Sequence, residues 1–241
     1  MQMLQPDPAT DAAPRPLPQG LTAAVLTGLA VHLVTAMPLL GQGRGAVASG
    51  LAFAAATAVV VHAIARHYPY ERIGAANAVT LIRLALTTAL VAPLLGEAVS
   101  GWLIAGVALF ALVLDGVDGF LARRSGLASE VGGRFDMEVD AAMALVLACH
   151  AWVASPVGAE VLVLGIMRYL FIGLGLICPW VMAPLPVSMR RKTICVLQLA
   201  ALILLQLPQM PADLAITVAR VAAIALLWSF GRDLLWLRKH R

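Results

Sequence analysis

Long uninterrupted apolar runs leave a chain few options, because a helix needs ~20 such residues to cross a hydrocarbon core of ~30 Å. Here there are eight, at about 21–40, 46–65, 78–95, 101–121, 137–155, 160–180, 193–207 and 214–231. The runs are continuous rather than alternating, which excludes a transmembrane barrel. Composition agrees: 61% of the 241 residues are hydrophobic and 12% charged, whereas a soluble domain is roughly half apolar and a quarter charged. The expected fold class is therefore all-α, a polytopic integral membrane bundle of about eight transmembrane helices.

Residues 1–20 carry Pro6, Pro8, Pro14, Pro16 and Pro18 among small and polar residues and read as a disordered Pro-rich tail. Connections between the apolar runs are mostly short, so consecutive helices should be antiparallel. Of the 17 Lys and Arg residues, Arg83, Arg168 and Arg220 fall inside spans. Thirteen of the others gather on one side of the membrane, and Arg44 alone lies on the other. The positive-inside rule then puts both termini in the cytoplasm, the inner membrane of a bacterium being the corresponding location. The net charge of +4 belongs to these span ends. It points to membrane lipid as the anionic partner and not to nucleic acid. Cys149, Cys178 and Cys195 have no metal-like spacing and read as reduced structural thiols.

The stretch LDGVDGFLARRSGLASEVGGRFDMEVDAA spans the end of the fourth run, a short basic loop and the start of the fifth. Asp115 and Asp118 are three residues apart and share a helical face, which Gly119 and Ala122 continue; Gly132, Asp136 and Asp140 repeat at four-residue spacing on the next helix. An antiparallel hairpin brings both carboxylate pairs together near the cytoplasmic end. One aspartate at mid-helix depth costs roughly 2.5–3.5 kcal/mol, so four together require positive charge between them. Hard carboxylate oxygens select Mg²⁺ or Mn²⁺, and two such ions can clamp phosphoryl oxygens. Mg²⁺ commonly shares its shell with substrate phosphates, so a phosphate-bearing substrate follows. Gly119, Ala122 and Gly132 would let a ligand lie against the backbone, and Arg123 would meet a diphosphate.

These residues resemble the CDP-alcohol phosphatidyltransferases. Asp115, Asp118, Gly119, Ala122, Arg123, Gly132, Asp136 and Asp140 match that family's signature, D-x2-D-G-x2-A-R-x8-G-x3-D-x3-D. Upstream, Asn77, Thr80 and Arg83 in NAVTLIR look like the start of the family's first core helix, with Ala76 where proline is usual. The resemblance covers roughly residues 76–235, a core of six helices. It leaves 21–70 as two accessory helices and 236–241 as a basic tail. It implies that an alcohol attacks the β-phosphate of a CDP-linked lipid such as CDP-diacylglycerol, forming a phosphodiester and releasing CMP. Asp115, Asp118, Asp136 and Asp140 would then be metal ligands, Asp140 also being the candidate base on the acceptor hydroxyl. The nucleotide would contact Asn77, Thr80, Asp115, Asp118, Gly119, Ala122, Arg123 and Gly132.

Members that take phosphorylated acceptors are similar in placing basic residues beside the metals; here Arg134, Arg168, Arg190, Arg191 and Lys192 are the candidates. SMRRKTICVLQ loosely resembles an element of phosphatidylglycerophosphate synthases, so glycerol 3-phosphate is favoured among polar alcohol acceptors. An aminoalcohol phosphotransferase using CDP-choline or CDP-ethanolamine and diacylglycerol stays open, since it shares the signature. A divalent-cation transporter is an alternative of another class, expected to spread its acids along a two-sided pathway with repeat symmetry. Arg168 would serve equally well as an anchor for Glu138, which lies off the face of Asp136 and Asp140. His32, His62 and His150 are isolated and read as interhelical hydrogen-bond partners. The runs of small residues are packing surfaces compatible with a homodimer.

Overall fold

A computed structural model describes residues 16–39, 43–186 and 188–240. Residues 1–15 of the expected Pro-rich tail, with Arg15, and the terminal Arg241 lie outside the described residues. The helices are α1 (Leu21–Ala36), α2 (Arg44–His67), α3 (Ala75–Ala89), α4 (Ala92–Leu95), α5 (Gly101–Ser125), α6 (Glu130–Ala154), α7 (Leu162–Ile177), α8 (Met189–Leu204) and α9 (Ala212–Lys239).

Six stretches are long and apolar enough to cross a membrane: Arg44–His67, Ala75–Leu95, Gly101–Ser125, Glu130–Ala154, Ala159–Ile177 and Ala212–Lys239. The protein is an all-α polytopic membrane bundle. The other two expected spans, α1 and α8, are helices of 16 residues each. At 1.5 Å per residue they reach about 24 Å, less than the ~30 Å of hydrocarbon.

The helix α3 is the axis of the bundle. Of its apolar window 61% is buried, against 22–44% for the other five membrane-length stretches. It packs chiefly on α5 and α1, and also on α2 and α6. Polar side chains fasten it where lipid offers no alternative partner. His32 on α1 bonds through Nδ1 to the Ala85 carbonyl at 3.2 Å, and Ser49 on α2 donates to the Thr88 carbonyl at 3.0 Å. Pro93 explains the break between α3 and α4, since proline supplies no N–H and cannot continue the ladder. The Leu94 N–H turns to Val91, and His150 Nε2 on α6 donates instead to the Leu90 carbonyl at 2.7 Å.

Residues 16–20, assigned to the tail by sequence, lead into α1 along the α2–α3 connection. The Gln19 N–H donates to the Glu71 carbonyl at 2.7 Å and the Ile73 N–H to the Gln19 carbonyl at 3.0 Å.

The α5–α6 hairpin turns within four residues. Gly126 closes α5 in the left-handed region at φ +67°, a conformation that glycine adopts without steric cost. Ser129 opens α6, its Oγ accepting the Gly132 N–H at 3.0 Å, a side-chain cap for an otherwise orphan donor. Helix α6 therefore starts earlier than hydropathy suggests, and Asp136 and Asp140 stand in its second and third turns.

Candidate active site

Three helices build the site. Helix α5 contributes Asp115 and Asp118, α6 contributes Asp136 and Asp140, and α3 contributes Asn77, Thr80 and Arg83. Carboxylate oxygens of Asp115, Asp118 and Asp136 all lie within 4.8 Å of one another. Asp118 is buried and accepts from Thr80 Oγ1 at 3.2 Å, whereas the side chains of Asp115, Asp136 and Asp140 keep 27–36% of their surface accessible.

Besides marking the first core helix, Arg83 is with Arg168 one of the two in-span arginines available to pair with the aspartates, and its guanidinium lies among all four carboxylates. Nη1 pairs with Asp118 at 2.9 Å and with Asp136; Nη2 pairs with Asp115 at 3.0 Å and with Asp140. One guanidinium against four carboxylates leaves three negative charges at membrane depth, where unpaired charge is costly. The donor set is therefore suited to a divalent cation: hard oxygens, mutually close, undercompensated and partly accessible. A sequence signal for Arg83 existed, an arginine inside an apolar run three residues after Thr80. Its reach to both α5 and α6 required knowing that α3 packs against each.

Beside the carboxylates is a cleft of about 140 Å³ lined by Asn77, Thr80, Asp118, Gly119, Ala122, Gly132, Asp136 and the 127–129 loop. Six of the eight residues expected to meet a nucleotide thus share one wall. Asp115 faces Arg83 instead, and Arg123 folds back along α5, its Nη1 3.4 Å from where a Cβ on Gly119 would stand. At Gly132 the helices α3 and α6 approach closely, for a Cβ there would lie 2.6 Å from Asn77 Oδ1.

The loop over the cleft has a support that the sequence did not reveal. Tyr70, in the α2–α3 connection, donates through its hydroxyl to the Ala128 carbonyl at 3.0 Å. Loss of one such bond is worth about 1 kcal/mol, roughly a fivefold change in an equilibrium. Tyr70→Phe should therefore raise the KM for the nucleotide substrate about fivefold with little change in kcat, and steady-state kinetics in detergent would show it. An unchanged KM would remove the loop support from the account.

Four of the five basic candidates for acceptor binding are held in ion pairs. Arg134 pairs with Glu130 at 2.6 Å on the exposed start of α6, and Arg168 pairs with Glu138. Arg190 and Arg191 both pair with Asp233 of α9, at 2.6 and 3.2 Å, and Arg190 also donates to Ser229. Lys192 is exposed and has no ion-pair partner among the described residues.

A bundle of membrane-length helices with clustered carboxylates beside a small-residue cleft describes an integral membrane protein with a site suited to a divalent cation. The profile of the CDP-alcohol phosphatidyltransferase family matches residues 73–230, and the chain belongs to that family. The matched region runs from the start of α3 about two thirds of the way along α9 and leaves α1 and α2 outside. Searches of curated proteins and of solved structures found no match. Family membership makes the protein a membrane transferase of lipid biosynthesis acting on a CDP-alcohol, in a family that uses divalent metal.

Proposed function

We propose that the protein transfers the phosphatidyl group of CDP-diacylglycerol to a polar alcohol and releases CMP, with Mg²⁺ or Mn²⁺ as cofactor. The observation that carries this is the clustering of Asp115, Asp118 and Asp136, joined to Asp140 through Arg83, beside a cleft walled by Gly119, Ala122 and Gly132. In this reading Asp115, Asp118 and Asp136 hold two divalent ions, with Asp140 also in reach. When bound, such ions supply positive charge to the diphosphate and to the oxygen on which CMP departs.

The chain's own groups do the rest. Asn77, Thr80, Gly119, Ala122 and Gly132 seat the nucleotide, and Arg123 at the edge of the cleft meets the diphosphate. The acceptor oxygen attacks the β-phosphorus, the bond from that phosphorus to the oxygen of CMP breaks, and the acceptor proton passes to Asp140. The ends of α2 and α5, the start of α8 and the end of α9 carry Arg66, Arg123, Arg124, Arg190, Arg191, Lys192, Arg238 and Lys239. This end of the bundle holds the carboxylates, so the positive-inside rule puts the site on the cytoplasmic leaflet.

Glycerol 3-phosphate remains the favoured acceptor, with Lys192 the basic candidate whose charge is uncommitted. The ion pairs of Arg134, Arg168, Arg190 and Arg191 favour a second reading, an aminoalcohol phosphotransferase that needs no acceptor phosphate site. The test is CMP release by purified protein given CDP-diacylglycerol and one acceptor at a time: glycerol 3-phosphate, inositol phosphate, inositol or serine. Acceptor-dependent CMP is expected, falling to background with EDTA and returning with Mg²⁺ or Mn²⁺. CMP formed only from CDP-choline or CDP-ethanolamine with diacylglycerol would establish the second reading.

A further inference from the structure

The Arg83 side chain has no accessible surface, and its Nε has no hydrogen-bond partner, so all of its bonding is done by the two terminal nitrogens. Each of these bridges one carboxylate of α5 and one of α6. Nη1 joins Asp118 to Asp136, and Nη2 joins Asp115 to Asp140. The planar fork of arginine suits such two-point bridging in a way the point charge of lysine does not. Three of the bridged residues, Asp115, Asp118 and Asp136, are also those whose carboxylate oxygens approach within 4.8 Å of one another, where a cation would bind.

We propose that Arg83 is a built-in counter-cation that competes with divalent ions for the carboxylate cage, holding the hairpin together when ions are absent and weakening their binding when they are present. The proposal rests on the reading of Asp115, Asp118 and Asp136 as metal-holding. Like charges confined among the same carboxylates repel strongly in a medium of low dielectric. An ion that enters must take oxygen lone pairs from the guanidinium or share them with it. A diphosphate brings negative charge of its own and offsets that repulsion, so ions should bind weakly to the free protein and more firmly together with the nucleotide substrate. Arg83 thereby links metal loading to substrate loading, a positioning role exerted through the aspartates.

The test is Mn²⁺ titration of the full-length protein in detergent without substrate, followed by electron paramagnetic resonance and by the thermal midpoint. Arg83→Met keeps much of the side-chain volume and removes the charge. Its metal-free form should melt below wild type, its Mn²⁺ Kd should be at least about tenfold tighter, and Mn²⁺ should raise its midpoint more than that of wild type. If Arg83→Met does not fold, Arg83→Lys keeps the charge but loses the double bridge, and its Mn²⁺ Kd should be at least about threefold tighter. Mn²⁺ affinity equal to or weaker than wild type in a folded variant overturns the proposal and makes Arg83 a plain support of the cage. Absence of Mn²⁺ binding in both wild type and a folded Arg83 variant overturns the metal reading itself, and this proposal with it.

Discussion

Asp140→Asn is expected to lower kcat for acceptor-dependent CMP release by about 10²–10⁴-fold, the range a positioned general base contributes. The substitution is nearly isosteric. Asp140 stands one turn after Asp136 on α6, pairs with Arg83, and keeps 29% of its side chain accessible. An asparagine oxygen can still accept from the guanidinium, so the cage keeps its shape. What is lost is a group able to take the acceptor proton. Mn²⁺ titration of the same variant separates the two roles its position allows. Binding retained alongside lost turnover marks a base, and binding lost together with turnover marks a ligand. Turnover within tenfold of wild type would exclude Asp140 as the base.

The part of this site that was legible from sequence is the part carried by helical periodicity. Spacings of three and four residues put Asp115 with Asp118 and Asp136 with Asp140, and a short connection made the hairpin the simplest way to join them. Periodicity says nothing about which third helix enters the hairpin. An arginine inside an apolar run marks Arg83 and Arg168 alike as possible partners of the aspartates, and only the packing of α3 on α5 and α6 selects Arg83 for all four. The same limit applies to Arg190 and Arg191. Their partner Asp233 lies on α9, and without the packing of α8 on α9 it looks like one more charge at the end of the last span. Hydropathy located every apolar run but not every helix end: Ser129 moves the start of α6 upstream, and Pro93 divides the third run into α3 and α4.

The two helices outside the family match have a physical account in the same terms. The axis α3 carries Arg83, and α1 and α2 grip it through the bonds of His32 and Ser49 to the Ala85 and Thr88 carbonyls. Gln19 pairs with the connection that carries Tyr70 toward the cleft loop. The accessory helices thus support from behind both the helix that carries Arg83 and the connection that reaches the cleft loop.

Gly132→Ala is expected to weaken CMP binding by about tenfold or more, a loss of about 1.4 kcal/mol, and to lower the thermal midpoint. The added methyl would stand 2.6 Å from Asn77 Oδ1 and 3.1 Å from Ser129 Oγ. Neither neighbour gives way freely. Asn77 is buried at 6% exposure on the central helix, and Ser129 Oγ is held by the Gly132 N–H that it caps. Either Asn77 turns out of the cleft wall or α6 moves off α3, and both change the surface on which the nucleotide would lie. Gly116→Ala is the matched control, because a Cβ there meets nothing within 4 Å. Removing a mid-helix glycine at that position should leave CMP affinity unchanged and stabilise α5 by roughly 0.5–1 kcal/mol. Isothermal titration of both variants with CMP decides the matter: equal affinity in Gly132→Ala and wild type would show that the nucleotide does not lie against the α3–α6 crossing.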